Sequence, residues 1–198
     1  MHAHRIIRSS LVAVLLLVAF GGTALASHWG ANGWYDRHYG YPAVPSGLTQ
    51  INAVFGARCT SDSNYNSFAW VAEGIVYYPR FHKKLGGAPT PGWYAGNGGT
   101  STNLFYDVRG HIANNHWDDR VKKGIWGYNC RLIANSTSWS THAWGIAIDI
   151  NAAYEHIGPG HYHSHTIDPG VAGIFQNHGW TWGIAFADAM HFQYATGY

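Results

Sequence analysis

Charge is scarce in this sequence: Asp, Glu, Lys and Arg make up 11% of its 198 residues, under half the usual quarter. Hydrophobic residues, at 46%, are ordinary. Intrinsic disorder needs low hydrophobicity together with high net charge and is therefore excluded. Cysteine is nearly absent. Cys59 and Cys130 are the two in the chain, and so wide a separation does not resemble a zinc ribbon. No internal repeat is present, and the length suits one domain. What the chain has in quantity is aromatic and imidazole chemistry, with 10 Trp, 13 Tyr, 8 Phe and 14 His.

The N-terminus reads as a secretory signal. Arg5 and Arg8 precede the apolar run Leu11 to Phe20, and small residues follow, ending in Ala24-Leu25-Ala26. This three-part pattern predicts a cut after Ala26. The apolar run is short for a membrane span, so an uncleaved anchor is the lesser alternative. No Cys follows the cut to carry a lipid. Cleavage removes two of the 12 basic residues and none of the 10 acidic ones, leaving a formal net charge of zero. Nucleic acid and anionic membranes, which require basic patches, are not expected partners. Export leads to an oxidising space, where a Cys59–Cys130 disulfide is expected, against the alternative of two buried free thiols.

Residues 27–47, rich in Gly, Tyr and Trp, read as an extended arm, and a single domain is expected over residues 48–198. Leu48 to Phe55 places Leu48, Ile51, Val54 and Phe55 on one helical face. Phe68 to Leu85 is a second helical candidate, interrupted at Pro79. Gly86 to Thr102 reads as a long loop. Asp168 can cap a helix that starts at Pro169, carries Val171, Ile174 and Phe175 on one face, and stops at Gly179. Two segments read as strands. In Ile146 to Ile150 the three Ile share one face and Ala147 and Asp149 the other. In Met190 to Tyr194, His191 and Gln193 lie opposite Met190, Phe192 and Tyr194. The fold class expected is α+β, a small antiparallel sheet flanked by helices.

Those strands frame the chemistry. His142, Asp149 and His191 supply two imidazoles and a carboxylate, a common ligand set for catalytic zinc that leaves a position for water. Gly145 allows a turn that brings His142 onto the strand face of Asp149. Asp188, three residues before His191, is placed to take a proton from water activated at the metal. Ser140 has no Gly-x-Ser-x-Gly elbow around it, which argues against a serine hydrolase.

The same residues carry a family likeness. Ser140, His142, Gly145, Ala147 and Asp149 in the spacing S-x-H-x-x-G-x-A-x-D, followed by Asp188, His191 and Phe192 as D-x-x-H-F, resemble the zinc D,D-peptidases. That group includes VanY-type D-Ala-D-Ala carboxypeptidases, D-Ala-D-Ala dipeptidases and L-alanyl-D-glutamate endopeptidases. The likeness runs from about Leu48 to Tyr194 and is strongest over 127–151 and 179–193. Ala152 stands where the family often has Pro, and Gly179 to Ile184 lacks its usual acidic residue and second Gly.

The resemblance implies a hedgehog/D,D-peptidase-like zinc fold, Zn²⁺ held by His142, Asp149 and His191, and Asp188 as catalytic acid and base. It also implies Arg131 as a group that holds substrate and polarises the scissile carbonyl. Ser140 and Trp144 are candidate substrate-binding residues. The expected substrate is a peptidoglycan stem peptide, cut by carboxypeptidase or endopeptidase action, and the protein is expected to be monomeric. The alternative is a non-catalytic wall-binding protein that retains the fold. His156, His161, His163 and His165 read as an exposed loop near the cleft rim rather than a second metal site. Trp139, Trp144, Trp180 and Trp182 are core residues by default, with one or two able to wall a cleft.

Overall fold

The computed structural model of the protein describes residues 42–85, 104–156 and 165–198. The signal segment, most of the arm, the 86–102 loop, and His161 and His163 lie outside the described residues. Helix α1 (Gly47–Phe55) buries Ile51 and Phe55, one turn apart, and ends at Gly56. Helix α3 (Pro169–Asn177) starts as the sequence predicts. The Asp168 carboxylate accepts the N–H groups of Gly170 at 2.8 Å and Val171 at 3.2 Å, satisfying donors that the first turn leaves open. Val171, Ala172, Ile174 and Phe175 form its buried face.

The stretch read as a helix from Phe68 to Leu85 instead holds one antiparallel hairpin and a further strand that pairs back with the segment before it. Strand β1 (Tyr65–Ser67) pairs with β4 (Arg80–His82), and β2 (Trp70–Ala72) pairs with β3 (Ile75–Tyr77). The correction has a local cause. Burial alternates along β2, with Trp70 and Ala72 inside and Val71 exposed, which is a period of two. The intervening Glu73-Gly74 turn has φ of 49° and 76°, the two positive values that a tight two-residue hairpin demands. A helix not anticipated from the sequence, α2 (Leu104–Asn114), contributes Leu104, Phe105, Val108 and Ile112 to the core.

The sheet that matters for function has the order β5 (Ala147–Asp149), β7 (His191–Gln193), β6 (Thr181–Trp182), antiparallel throughout. Asp149 stands directly opposite His191, and Ala147 opposite Gln193. The backbone of Asp149 bonds away from β7. Its N–H donates to the Trp126 carbonyl at 2.8 Å, and its own carbonyl accepts the Trp126 N–H at 3.0 Å. Asp149 and His191 therefore form the closer, non-hydrogen-bonded kind of antiparallel pair, with side chains on one face. From the other face Phe192 stacks on Phe175 of α3, centroids 4.3 Å apart, which seats the sheet on the helix. Phe81, Trp70 and Phe105 continue the same core towards strands β1 to β4, with Phe81 and Phe105 at 4.4 Å and Trp70 and Phe105 at 5.3 Å.

Cys59 and Cys130 form the expected disulfide, with Cα atoms 5.3 Å apart across 71 positions of sequence. The architecture is α+β, with three α-helices and small antiparallel sheets among the described residues.

Candidate metal centre

His142 lies in a single 3-10 turn, Thr141–Trp144. The Ser140 hydroxyl caps the turn by accepting the His142 N–H at 3.3 Å. Gly145 ends it with φ 67°, and a Cβ there would come within 2.7 Å of the Tyr65 ring and 2.9 Å of the His82 nitrogen. Both the left-handed backbone and the close approach call for glycine. The reversal lets the chain enter β5 so that the side chains of His142 and Asp149 converge.

The three expected ligands do meet. One ligand atom from each of His142, Asp149 and His191 lies within 4.8 Å of the others, and all three residues are buried. His142 Nε2 is 3.1 Å from Asp149 Oδ1 and 3.2 Å from His191 Nδ1, which is itself 3.0 Å from the same carboxylate oxygen. The ring tautomers follow from the partners behind them. His142 Nδ1 is 2.6 Å from the Gly127 carbonyl, which can only accept, so Nδ1–H donates there and Nε2 is the nitrogen turned towards Asp149 and His191. His191 Nε2 faces Gln193 Oε1 at 3.1 Å and the Thr141 hydroxyl at 3.2 Å. Thr141 Oγ1 in turn donates to Gln193 at 3.0 Å. Such supporting bonds fix ring orientation and raise ligand basicity. Two imidazole nitrogens and one carboxylate oxygen aimed at a common point fit a zinc-type cation.

Gly127 belongs in the site for a steric reason as well. A Cβ there would lie 2.4 Å from the Arg80 carbonyl, so only glycine lets its own carbonyl reach His142. Gly127, Thr141 and Gln193 were not singled out from the sequence. Gln193 had a readable signal, since it shares the strand face of His191.

Electrostatics separate the two aspartates. Burial alone would raise Asp149, but His142 and His191 outweigh it and hold the carboxyl well below the ordinary range. Burial also opposes a charge on His191, yet the bond and charge of Asp149 raise it, so protons compete with a cation for this site. Asp188 moves the other way. Burial pushes it up and the Asp149 carboxylate adds to the rise, against the pull of His191, His142 and Arg131. Asp188 Oδ1 is buried and has no hydrogen-bond partner among the described residues.

Two cavities flank the ligand set. One of about 450 Å³ is lined by Trp126, Arg131, His142 and Asp149 among others. The second, about 360 Å³, is lined by Arg131, Ser140, Phe186, Asp188 and His191 among others. Arg131 borders both, and its backbone carbonyl accepts the Ser140 N–H at 3.1 Å. Trp144 is not brought to the cleft. It is buried at 1% exposure, and its indole N–H is shared between Asn52 Oδ1 at 3.0 Å and the Gly56 carbonyl at 3.2 Å. Trp180 is likewise core. The tryptophan that does line the cleft is Trp126, in the first cavity, and Phe186 lines the second. Of the histidine-rich loop, His156 and His165 are described, and neither joins the ligand group; His165 instead rests edge-on against Trp182 at 5.3 Å.

Residues 134–194 match the model of a peptidase family described as D-alanyl-D-alanine carboxypeptidase, consistent with a zinc D,D-peptidase family. The matched segment contains His142, Asp149, Asp188 and His191, while Arg131 lies just before it. No curated protein and no solved structure matches the chain.

Proposed function

We propose that this chain is an exported, monomeric zinc peptidase that hydrolyses peptide bonds in peptidoglycan stem peptides. The observation that carries the reading is the pairing of a buried two-histidine, one-carboxylate set with Asp188, which borders the same cleft and whose Oδ1 has no hydrogen-bond partner among the described residues. A carboxylate raised by burial accepts a proton more readily than an ordinary one, as a general base must. His142, Asp149 and His191 would hold the metal. When bound, zinc polarises the scissile carbonyl and lowers the pKa of a coordinated water to about 7.

The remaining steps belong to the chain. Asp188 takes the proton of the attacking water at Oδ1 and returns it to the leaving amine. Arg131, on the rim shared by both cavities, donates to the substrate carbonyl as negative charge develops there. Cavities on both flanks of the ligand set give room for substrate on either side of the scissile bond. A pure wall-binding protein would have no use for a buried carboxylate oxygen left unbonded beside the ligand set.

Mass spectrometry of digested muropeptides tests this directly. Release of a terminal D-Ala identifies carboxypeptidase action, and a cut between L-Ala and D-Glu identifies endopeptidase action; intact muropeptides in the presence of zinc overturn the proposal. Asp188→Asn should keep stoichiometric zinc by elemental analysis while losing roughly 10²- to 10⁴-fold in turnover. His142→Ala should lose metal and activity together. Near-normal turnover in Asp188→Asn would remove Asp188 from the mechanism.

A further inference from the structure

A third cavity, about 420 Å³, lies beyond the ligand set, and the activity proposed above makes no use of it. Its walls include Val76, Tyr78, Arg80, Trp126, Tyr128 and Asn129. It shares Trp126, Gly127 and Asn129 with the cavity beside His142 and Asp149, so this trough adjoins that cavity along the 126–129 segment. Two of its aromatics are held in water: Trp126 is 55% exposed and Tyr78 66%. Exposed apolar surface gathered in a concavity marks a binding site more than exposure scattered singly does.

The trough is rigid where it meets the site. The two backbone bonds between Trp126 and Asp149 fix the strand position from which the indole projects. Two residues further along the same segment Tyr128 stacks on Tyr65 with centroids 3.8 Å apart. The Arg80 guanidinium lies 5.2 Å from the Tyr128 ring and 5.6 Å from the Tyr65 ring, and is ion-paired with Asp62 at 2.6 Å.

The occupant can be read from what the walls offer. The N–H groups of Trp126, Tyr128 and Asn129 are already bonded, to Asp149, Arg80 and His142 respectively. An extended peptide therefore finds none of these three donors free along the 126–129 segment. What remains is aromatic faces beside a planar amide and a planar guanidinium. That combination suits a pyranose ring, whose C–H face packs on an aromatic and whose hydroxyls take in-plane hydrogen bonds. The guanidinium is already paired with Asp62, which favours an uncharged ligand over an anion.

We propose that this trough is a saccharide subsite that holds the glycan part of the substrate while its peptide crosses the ligand set. The proposal rests on the peptidase reading above, and its test is independent of turnover. Chitotetraose titrated into the zinc-loaded full chain, followed by calorimetry and tryptophan fluorescence, should bind saturably. Trp126→Ala and Tyr78→Ala should each weaken that binding about tenfold, the scale of a lost aromatic contact. Asp188→Asn should bind chitotetraose as the unmodified chain does. No saturable binding at millimolar chitotetraose, or equal binding by both aromatic variants with unchanged circular dichroism, overturns the saccharide subsite. Chitotetraose binding without hydrolysis of muropeptides would instead overturn the peptidase reading and leave the subsite standing.

Discussion

His82 borders the Tyr65–Gly145 contact that shapes the ligand turn, and its own chemistry is set by that crowding. Its ring meets Phe55 at 5.2 Å and Tyr65 at 6.1 Å, and its backbone N–H donates to the Gly145 carbonyl at 2.8 Å. Burial, and then the charge of Lys84, push the imidazole down from 6.5 to about 4. A folded-state value below the unfolded one means that folding favours the neutral ring. The contribution is complete above pH 6.5 and is lost as pH falls towards 4, up to about 3 kcal/mol. Thermal midpoints between pH 6.5 and 4 should therefore fall more steeply for the unmodified protein than for His82→Asn, which keeps an acceptor for the Lys84 N–H now bonded to His82 Nδ1 at 3.2 Å. Parallel curves would assign the acid sensitivity elsewhere. At this scale the candidate ligands were legible because metal chemistry constrains residue type and spacing together, and the structure brings those three residues to one point. The tryptophans were not. Trp126 and Trp144 are the same residue type in glycine-containing segments, and only the pairing of 126 with Asp149 and the turn at Gly145 send one outward and the other into the core.

Among the elements, α3 combines two devices at one residue. Asp168 caps the helix and also takes Arg120 Nη1 at 3.1 Å on both carboxylate oxygens, while Arg120 lies 4.2 Å over the Trp117 ring. Asp168→Ala should cost about 1–2 kcal/mol, mostly through the cap. Asp168→Ser, which keeps a capping oxygen and gives up the half-exposed ion pair, should cost less than about 1 kcal/mol. Urea midpoints at constant slope measure both, and equal losses in the two variants would shift the weight to the ion pair. The cap, the proline at the first turn and the apolar face made this helix readable. Helix α2 was not readable, because Asp107, Arg109, Gly110 and His111 interrupt its apolar positions and its burial comes from partners distant in sequence. The β2–β3 hairpin and the β1–β4 pair that encloses it were misread because strands of three residues are too short to show their period, although Glu73-Gly74 and Pro79 both spoke against a helix.

The whole molecule depends on a segment with little secondary structure of its own. Residues 126–130 run from Asp149, through the Gly127 support of His142, past the bond between the Tyr128 N–H and Arg80, to the disulfide at Cys130. Cys59 at the far end bonds through its N–H to the Ala143 carbonyl at 2.8 Å, one residue from the first ligand. Closing so long a loop stabilises by about 4 kcal/mol in the chain-entropy model. The double variant Cys59→Ala/Cys130→Ala should therefore unfold at markedly lower denaturant, and should hold zinc less tightly in a chelator competition. Unchanged zinc affinity in that variant would confine the bond to global stability. The sequence indicated that the cysteines pair; it contained no sign that they clamp the strip carrying the support of a ligand.

That clamp also imposes an order of events. A chain with free thiols has the ligand residues but not the tie that keeps the Gly127 carbonyl behind His142, so metal capture should lag behind oxidation. Refolding with zinc under reducing conditions, followed by addition of oxidant, should show metal uptake rising with disulfide formation. Metal uptake that is complete before the thiols oxidise would separate the disulfide from the assembly of the candidate ligand set.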